Sequence, residues 1–281
     1  MTREVQKQPY VIVVGNEKGG TGKSTLSMHI IVNFLRDGLK VGSIDTDARQ
    51  GSLSRYMENR EKFAKTAVDK WIPVSQHYSI YRSALPNTED SLAEEGQNFL
   101  AAILQLSACD IVVIDTPGTD STLSQLAHSY ADTLITPLND SLIDFDMLAR
   151  VEGNDVRPSK YAEMVWEQKK NRALRDGGSI DWIILRNRLS SINARNKGEM
   201  ERLVQTLSKR IGVRTIDGFG ERVIFRELFL QGLTLLDLRE LGITPNLSHI
   251  AARQEVRALI DAIKIPSASM SPAAVTQAKV G

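Results

Sequence analysis

The sequence predicts an α/β fold: a doubly wound, mainly parallel sheet flanked by helices, assembled around a phosphate-binding loop. Three observations predict it. Apolar runs of strand length alternate with helical patterns along most of the chain. Two of these runs, Asp110-Ile111-Val112-Val113-Ile114-Asp115 and Thr133-Leu134-Ile135-Thr136, are almost continuously apolar, which suits strands buried on both faces. The run Tyr10-Val11-Ile12-Val13-Val14 leads into Gly15-Asn16-Glu17-Lys18-Gly19-Gly20-Thr21-Gly22-Lys23-Ser24-Thr25, which opens a helical pattern.

In chain order, residues 1–8 read as a polar tail and 10–15 as the first strand. A helix is expected over 23–37, where Leu26, His29, Ile30, Asn33 and Phe34 keep helical spacing and Gly38 stops it. Val41-Gly42-Ser43-Ile44-Asp45 is the next strand, followed by a charged helix over 48–64. Residues 65–90 show no regular pattern, and 91–107 read as a helix. After the strands at 110–115 and 133–136 come helices near 143–151 and 160–174 and a strand over 180–185. A helix over 195–211, a strand over 212–216 and helices over 221–230 and 247–263 complete the pattern. Residues 265–281 carry the composition of a disordered tail. Without repeat or linker, 9–264 reads as a single domain.

The composition excludes several classes. The 281 residues are 42% hydrophobic and 25% charged, ordinary for a globular chain. No apolar run approaches the roughly 18 residues that span a bilayer. The N-terminus has no apolar core of a secretory signal, so a cytoplasmic location without membrane insertion is expected. One cysteine, Cys109, excludes an internal disulfide and a thiolate cluster site. Net charge is +1, but residues 182–214 hold eight Lys/Arg against two acids, a local +6 against −5 elsewhere. Such a patch can be an electrostatic footprint for nucleic acid.

The glycine loop carries the chemistry. Glycines let the backbone approach phosphate oxygens, and the N–H groups and helix N-terminus favour an anion. Gly19, Gly20, Thr21, Gly22, Lys23, Ser24 and Thr25 form the cradle; Lys23 is placed for the β/γ-phosphates and the Ser24 hydroxyl for Mg²⁺. Asp115, closing an apolar strand, sits where a carboxylate holds the cation's water shell, and Thr116-Pro117-Gly118 suits a switch loop that responds to the γ-phosphate. Asp45-Thr46-Asp47 also closes a strand: Asp47 is assigned the attacking water and Asp45 the metal shell. Asn187 has the donor and acceptor to pair with an adenine edge. An ordinary P-loop has no use for the second lysine, Lys18.

Lys18-Gly19-Gly20-Thr21-Gly22-Lys23-Ser24-Thr25 resembles the deviant Walker A motif of the ParA/MinD family of P-loop ATPases. The resemblance covers about residues 9–260. Segments 13–20, 139–148, 185–189, 222–229 and 232–238 resemble the division-site regulators of that family in particular. The resemblance implies ATP and Mg²⁺ as cofactors and slow hydrolysis to ADP and phosphate. It implies an ATP-bound homodimer in which Lys18 reaches the partner's nucleotide, with Asp47 the hydrolytic aspartate. It further implies inhibition of FtsZ polymerisation by the dimer, binding of ParB by the monomer, and non-specific double-stranded DNA binding by the dimer. The protein would then be nucleoid-associated and enriched toward the cell poles.

Arg195, Arg202 and Lys209 recur every seven residues and share one face of the expected helix, opposite Leu203, Val204, Leu207 and Ile211. A one-sided basic face suits phosphate contact without base reading. Arg195 and Arg222 match positions of DNA-contacting arginines in the family. Gly198, Glu199 and Gly220 depart from its more basic pattern, which would route binding through Lys197, Arg202 or Arg214. Two other readings use the same loop: a ParA-type partition ATPase, and a small-molecule ligase of the dethiobiotin-synthetase kind. A MinD-like membrane anchor needs a terminal basic amphipathic helix, and residues 247–263 mix Arg253, Glu255, Arg257 and Asp261 instead.

Overall fold

The computed structural model describes residues 8–47, 49–139, 142–152, 155–187 and 211–266. Strands β1 (Tyr10–Val14), β2 (Val41–Asp45), β3 (Gln76–Ser79), β4 (Ile111–Asp115), β5 (Thr133–Asn139), β8 (Asp181–Asn187) and β9 (Arg214–Asp217) form one seven-stranded sheet in the order β3-β2-β4-β1-β5-β8-β9. Every pairing in it is parallel. The order reverses around β1, which pairs with β4 on one side and β5 on the other. Ligands of open α/β sheets bind at this switch point, beyond the carboxyl ends of the strands.

Alternate residues of β1 feed two cores. Ile12 and Val14 pack with α1 (Lys23–Arg36), α2 (Ser52–Thr66) and α8 (Leu247–Ala262), while Val11 and Val13 pack with α3 (Thr88–Gln105), α4 (Thr122–Ser129) and α6 (Lys160–Asp176). That division follows from the period of two along a strand. A short α5 (Leu142–Phe145) follows β5, and α7 (Ile224–Leu230) precedes a 3₁₀ turn at Leu235–Asp237. That turn is tied to α2 by a buried bidentate pair: Arg60 donates to Asp237 at 2.8 and 3.0 Å.

Four expectations need correction. The helix expected near 143–151 is the single turn α5, followed by an antiparallel hairpin of β6 (Ala149–Glu152) and β7 (Asp155–Pro158). A Gly-Asn dipeptide separates those strands in the sequence, a hairpin signal that the helical reading passed over. The patternless stretch 65–90 contains β3, an edge strand of Gln-His-Tyr-Ser with no apolar run to reveal it. The helix after β2 starts at Ser52 rather than 48, because Gly51 before it is left-handed (φ 57°). Helix α4 was not expected; Ser121 caps it by accepting from Ser124 N at 3.1 Å. The helix expected over 195–211 lies outside the described residues except for its last position, as do residues 1–7 and 267–281 of the two expected tails.

Candidate nucleotide site

The glycine loop leaves the carboxyl end of β1 and ends at α1, as the sequence requires. Gly22, at the helix N-cap, is left-handed (φ 89°), and a Cβ there would lie 2.4 Å from Asn187 Nδ2. Only glycine meets both conditions. Lys23 is buried, and its Nζ donates to the Lys18 carbonyl at 2.9 Å, folding the side chain back over the loop. Burial lowers its pKa, against the pull of Asp115 and Asp47. Lys18 points elsewhere. Its side chain is 41% exposed and pairs with the buried Asp144 of α5, which also accepts from Asn139 N at 2.9 Å.

Asp115 closes β4 directly beside the loop. Its carboxylate accepts from Ser24 Oγ at 2.6 Å and Ser27 Oγ at 3.3 Å. Burial, reinforced by the nearby Asp45, pushes its pKa up to about 7. A cation beside this pair would reverse that shift. A hydroxyl and a buried carboxylate are hard oxygen donors, so Ser24 and Asp115 fit Mg²⁺. Asp45 is differently surrounded. One oxygen accepts from Asp47 N at 2.9 Å, the other from Ser54 N and Oγ, both at 2.9 Å. It therefore fixes the Asp47 backbone and the N-terminal turn of α2. Asp47 lines the same cleft, and burial raises its pKa.

The Thr116-Pro117-Gly118 turn lies on the loop. Thr116 donates to the Val14 carbonyl from N at 3.1 Å and from Oγ1 at 3.2 Å. A Cβ on Gly118 would come within 2.8 Å of Gly19 N and 3.0 Å of the Lys18 carbonyl carbon, so the turn approaches as closely as only glycine allows. Together these segments enclose a cleft of about 610 Å³ lined by Gly19–Thr25, Asp45, Asp47, Asp115, Thr116 and Gly118. A second cleft of about 370 Å³ adjoins it, lined by Gly22, Thr25, Asn187, Phe219, Phe225 and Phe229. Its size and aromatic wall suit a nucleobase. Asn187 is on that wall, with Nδ2 donating to the Thr21 carbonyl at 2.7 Å.

Sequence reasoning missed three supports. Tyr161 of α6 donates from its hydroxyl to the Gly15 carbonyl at 2.9 Å, and that hydroxyl also meets Thr136 Oγ1 at 2.9 Å and His128 Nε2 at 3.3 Å. His128 is fully buried, and burial holds its pKa at about 4. His29 of α1 is likewise buried and held at about 4, its ring edge-on to Phe219 and Phe225 of the second cleft. These contacts join residues far apart in the chain, 146 positions for Tyr161 and Gly15, and leave no local signal. Arg49 and Arg82 also line the larger cleft; Arg82 lies in the stretch that read as irregular.

Among the residues expected at DNA, Arg195, Lys197 and Arg202 lie outside the described residues. Arg214 donates to both oxygens of Asp181 and to the Ala262 carbonyl at 2.9 Å. Arg222 forms a bidentate pair with Glu255, donating at 2.5 and 2.8 Å. Both charges are thus offset within the chain.

Known proteins share this fold. Among curated relatives, a cytosolic Fe-S cluster assembly factor homologue of Trichoplax adhaerens is 29% identical over 119 residues, 38% of this chain and 45% of that protein. The chain spans about half the length of the curated relatives it matches. The solved structure of Cyanothece apo McdA superposes with a TM-score of 0.62 at 20% identity, covering 91% of this chain and 99% of that one. The septum site-determining protein MinD of Pyrococcus horikoshii, complexed with Mg-ADP, superposes with a TM-score of 0.54 at 18% identity, covering 90% and 96%. These two establish the fold. Among the described residues no helix is long and apolar enough to cross a membrane. The model of the ATPase MipZ family matches residues 10–267, and the chain belongs to that family.

Proposed function

We propose that the chain is an ATP-dependent dimerising switch that positions the division site. The observation that carries this reading is the separation of its two loop lysines. Lys23 is buried and folded over its own loop, whereas Lys18 stands 41% exposed at the rim. A rim lysine suits the nucleotide of a second copy better than its own.

In this reading the loop N–H groups and Lys23 hold the phosphates, and the Phe219–Phe225–Phe229 wall holds the base. Ser24 and Asp115 hold Mg²⁺, which neutralises phosphate charge when bound. Asp45 fixes the backbone of Asp47, and Asp47 orients the water that attacks the γ-phosphate. The Thr116-Pro117-Gly118 turn, in backbone contact with the loop, responds to that phosphate. Lys18 leaves Asp144 and reaches the partner's nucleotide as the homodimer forms, and hydrolysis separates the two copies. The dimer inhibits FtsZ polymerisation and binds double-stranded DNA without sequence preference, and the monomer binds ParB. The result is a cytoplasmic, nucleoid-associated protein enriched toward the poles.

DNA contact falls to Arg195, Lys197 and Arg202, because Arg214 and Arg222 are engaged by Asp181 and Glu255. No cluster is carried over from the iron–sulfur relatives, because the sequence has one cysteine, Cys109, which precedes β4 at the sheet end opposite the loop.

FtsZ pelleting with GTP tests the proposal, with ATP-loaded Asp47→Ala protein and Lys23→Ala protein as control. The division-regulator reading predicts less pelleted polymer with Asp47→Ala alone. If neither lowers it while the ATP form still binds DNA, the protein is a ParA-type partition ATPase. ATP turnover that needs a metabolite and ignores DNA would mark a small-molecule ligase.

A further inference from the structure

The edge strand β3 is connected to the hydrolytic loop by a chain of polar side chains. Asp45 accepts the Ser54 hydroxyl proton at 2.9 Å. Having donated its one proton there, Ser54 Oγ can only accept from its other neighbours, His77 Nε2 at 3.1 Å and Ser79 Oγ at 2.8 Å. His77 Nε2 therefore carries the proton. Burial lowers the pKa of His77, so the ring is neutral near pH 7 and Nδ1 is an acceptor. Ser43 Oγ lies 2.9 Å from Nδ1 and donates to it; Ser75 Oγ, 2.9 Å from Ser43 Oγ, donates in turn. Ser43, Ser54 and Ser75 are all buried. Every hydroxyl in the chain thus points its proton toward the Asp45 carboxylate, an arrangement in which each bond strengthens the next.

The two Asp45 oxygens hold the backbone N–H of Asp47 and the first turn of α2. Asp47 in turn accepts at its carbonyl from Gly51 N at 2.7 Å. The carboxylate of Asp47 accepts from the Gln50 backbone within the same turn. We propose that His77 is a positioning residue for hydrolysis: by donating from Nε2 to Ser54 it keeps Asp45 locked onto the loop that carries Asp47. The proposal rests on the reading of Asp47 given above.

Two substitutions separate its parts. A glutamine at 77 can place an amide N–H where Nε2 donates; an asparagine reaches only the Nδ1 position. His77→Asn is expected to lower kcat for ATP about tenfold while KM and nucleotide affinity stay within about twofold. His77→Gln is expected to keep kcat within about threefold of the parent. Equal kcat in the two variants, or parallel loss of kcat and nucleotide affinity, would overturn the proposal in favour of a merely structural histidine. Backbone amide exchange over residues 45–54 with a non-hydrolysable ATP analogue gives a readout independent of turnover. Faster exchange in His77→Asn than in His77→Gln supports the proposal, and identical exchange overturns it. A parent protein that binds ATP without hydrolysing it would refute the role of Asp47 while the exchange comparison still reports on His77.

Discussion

Replacing His29, whose ring packs on Phe219 and Phe225, tests what it costs the fold to hold a buried neutral imidazole. His29 is fully buried; Nδ1 lies 2.7 Å from the Thr25 carbonyl and so donates, and Nε2 accepts from Leu235 N at 3.4 Å. Both ring nitrogens are committed to the neutral form. Burial holds the folded pKa at about 4, against 6.5 for a free imidazole. The sign follows from proton uptake. Below pH 6.5 the unfolded chain binds a proton that the folded chain refuses, so stability falls with acid until the folded group titrates near 4. At about pH 5 the unfolded group is nearly fully protonated, some 1.5 units below its pKa, which amounts to a loss of about 2 kcal/mol relative to about pH 7.5. His29→Asn keeps a donor for Thr25 but has no proton to gain. Its stability deficit relative to the parent is therefore expected to shrink by about 2 kcal/mol between about pH 7.5 and about pH 5. Other titrating groups cancel in this comparison, including Asp115, whose raised pKa acts in the opposite direction. Urea unfolding followed by circular dichroism measures it. A deficit equal at both pH values, within about 0.5 kcal/mol, would mean that His29 protonates in the fold without penalty and would refute the reasoning.

Gly118→Ala places a Cβ against the backbone of Gly19 and Lys18, so the Thr116-Pro117-Gly118 turn must lift from the loop. ATP affinity by calorimetry is expected to drop at least about tenfold with the melting temperature little changed, given about 1.4 kcal/mol per decade; unchanged affinity would separate the turn from the site. Asp237→Asn removes a carboxylate that is fully buried between Arg60 and Arg36 and held near pKa 2 by those charges after burial is overcome. A loss of about 3–5 kcal/mol in urea unfolding is expected; less than about 1 kcal/mol would show that Arg60 finds another partner.

The sheet and the phosphate loop were legible in the sequence because both have local signatures. Buried parallel strands are unbroken apolar runs, and a phosphate cradle needs its glycines and lysine at fixed spacing. Lys23, Ser24 and Asp115 do come together where that spacing placed them. The edge strand β3 was not legible, being four polar residues paired among the described residues only to β2, whereas the Gly-Asn signal between β6 and β7 was present and passed over. Asp45 shows a subtler limit. Its sequence position beside Asp47 suggested the metal, but α2 folds back to give it Ser54, nine residues on. Asn187 likewise braces the Thr21 carbonyl, a contact across 166 residues that no local pattern announces. Arg214 and Arg222 read as free positive charge until the fold supplied Asp181 and Glu255.

The central claim is that ATP joins two copies through Lys18 and that Asp47 separates them. Its most direct test is the solution mass by light scattering, with and without ATP and Mg²⁺, of the parent, Asp47→Ala and Lys18→Ala chains. The account predicts that Asp47→Ala doubles in mass with ATP and stays doubled, while Lys18→Ala binds ATP and remains at the monomer mass. An Asp47→Ala chain that binds ATP and stays monomeric, or a Lys18→Ala chain that dimerises as the parent does, would contradict it.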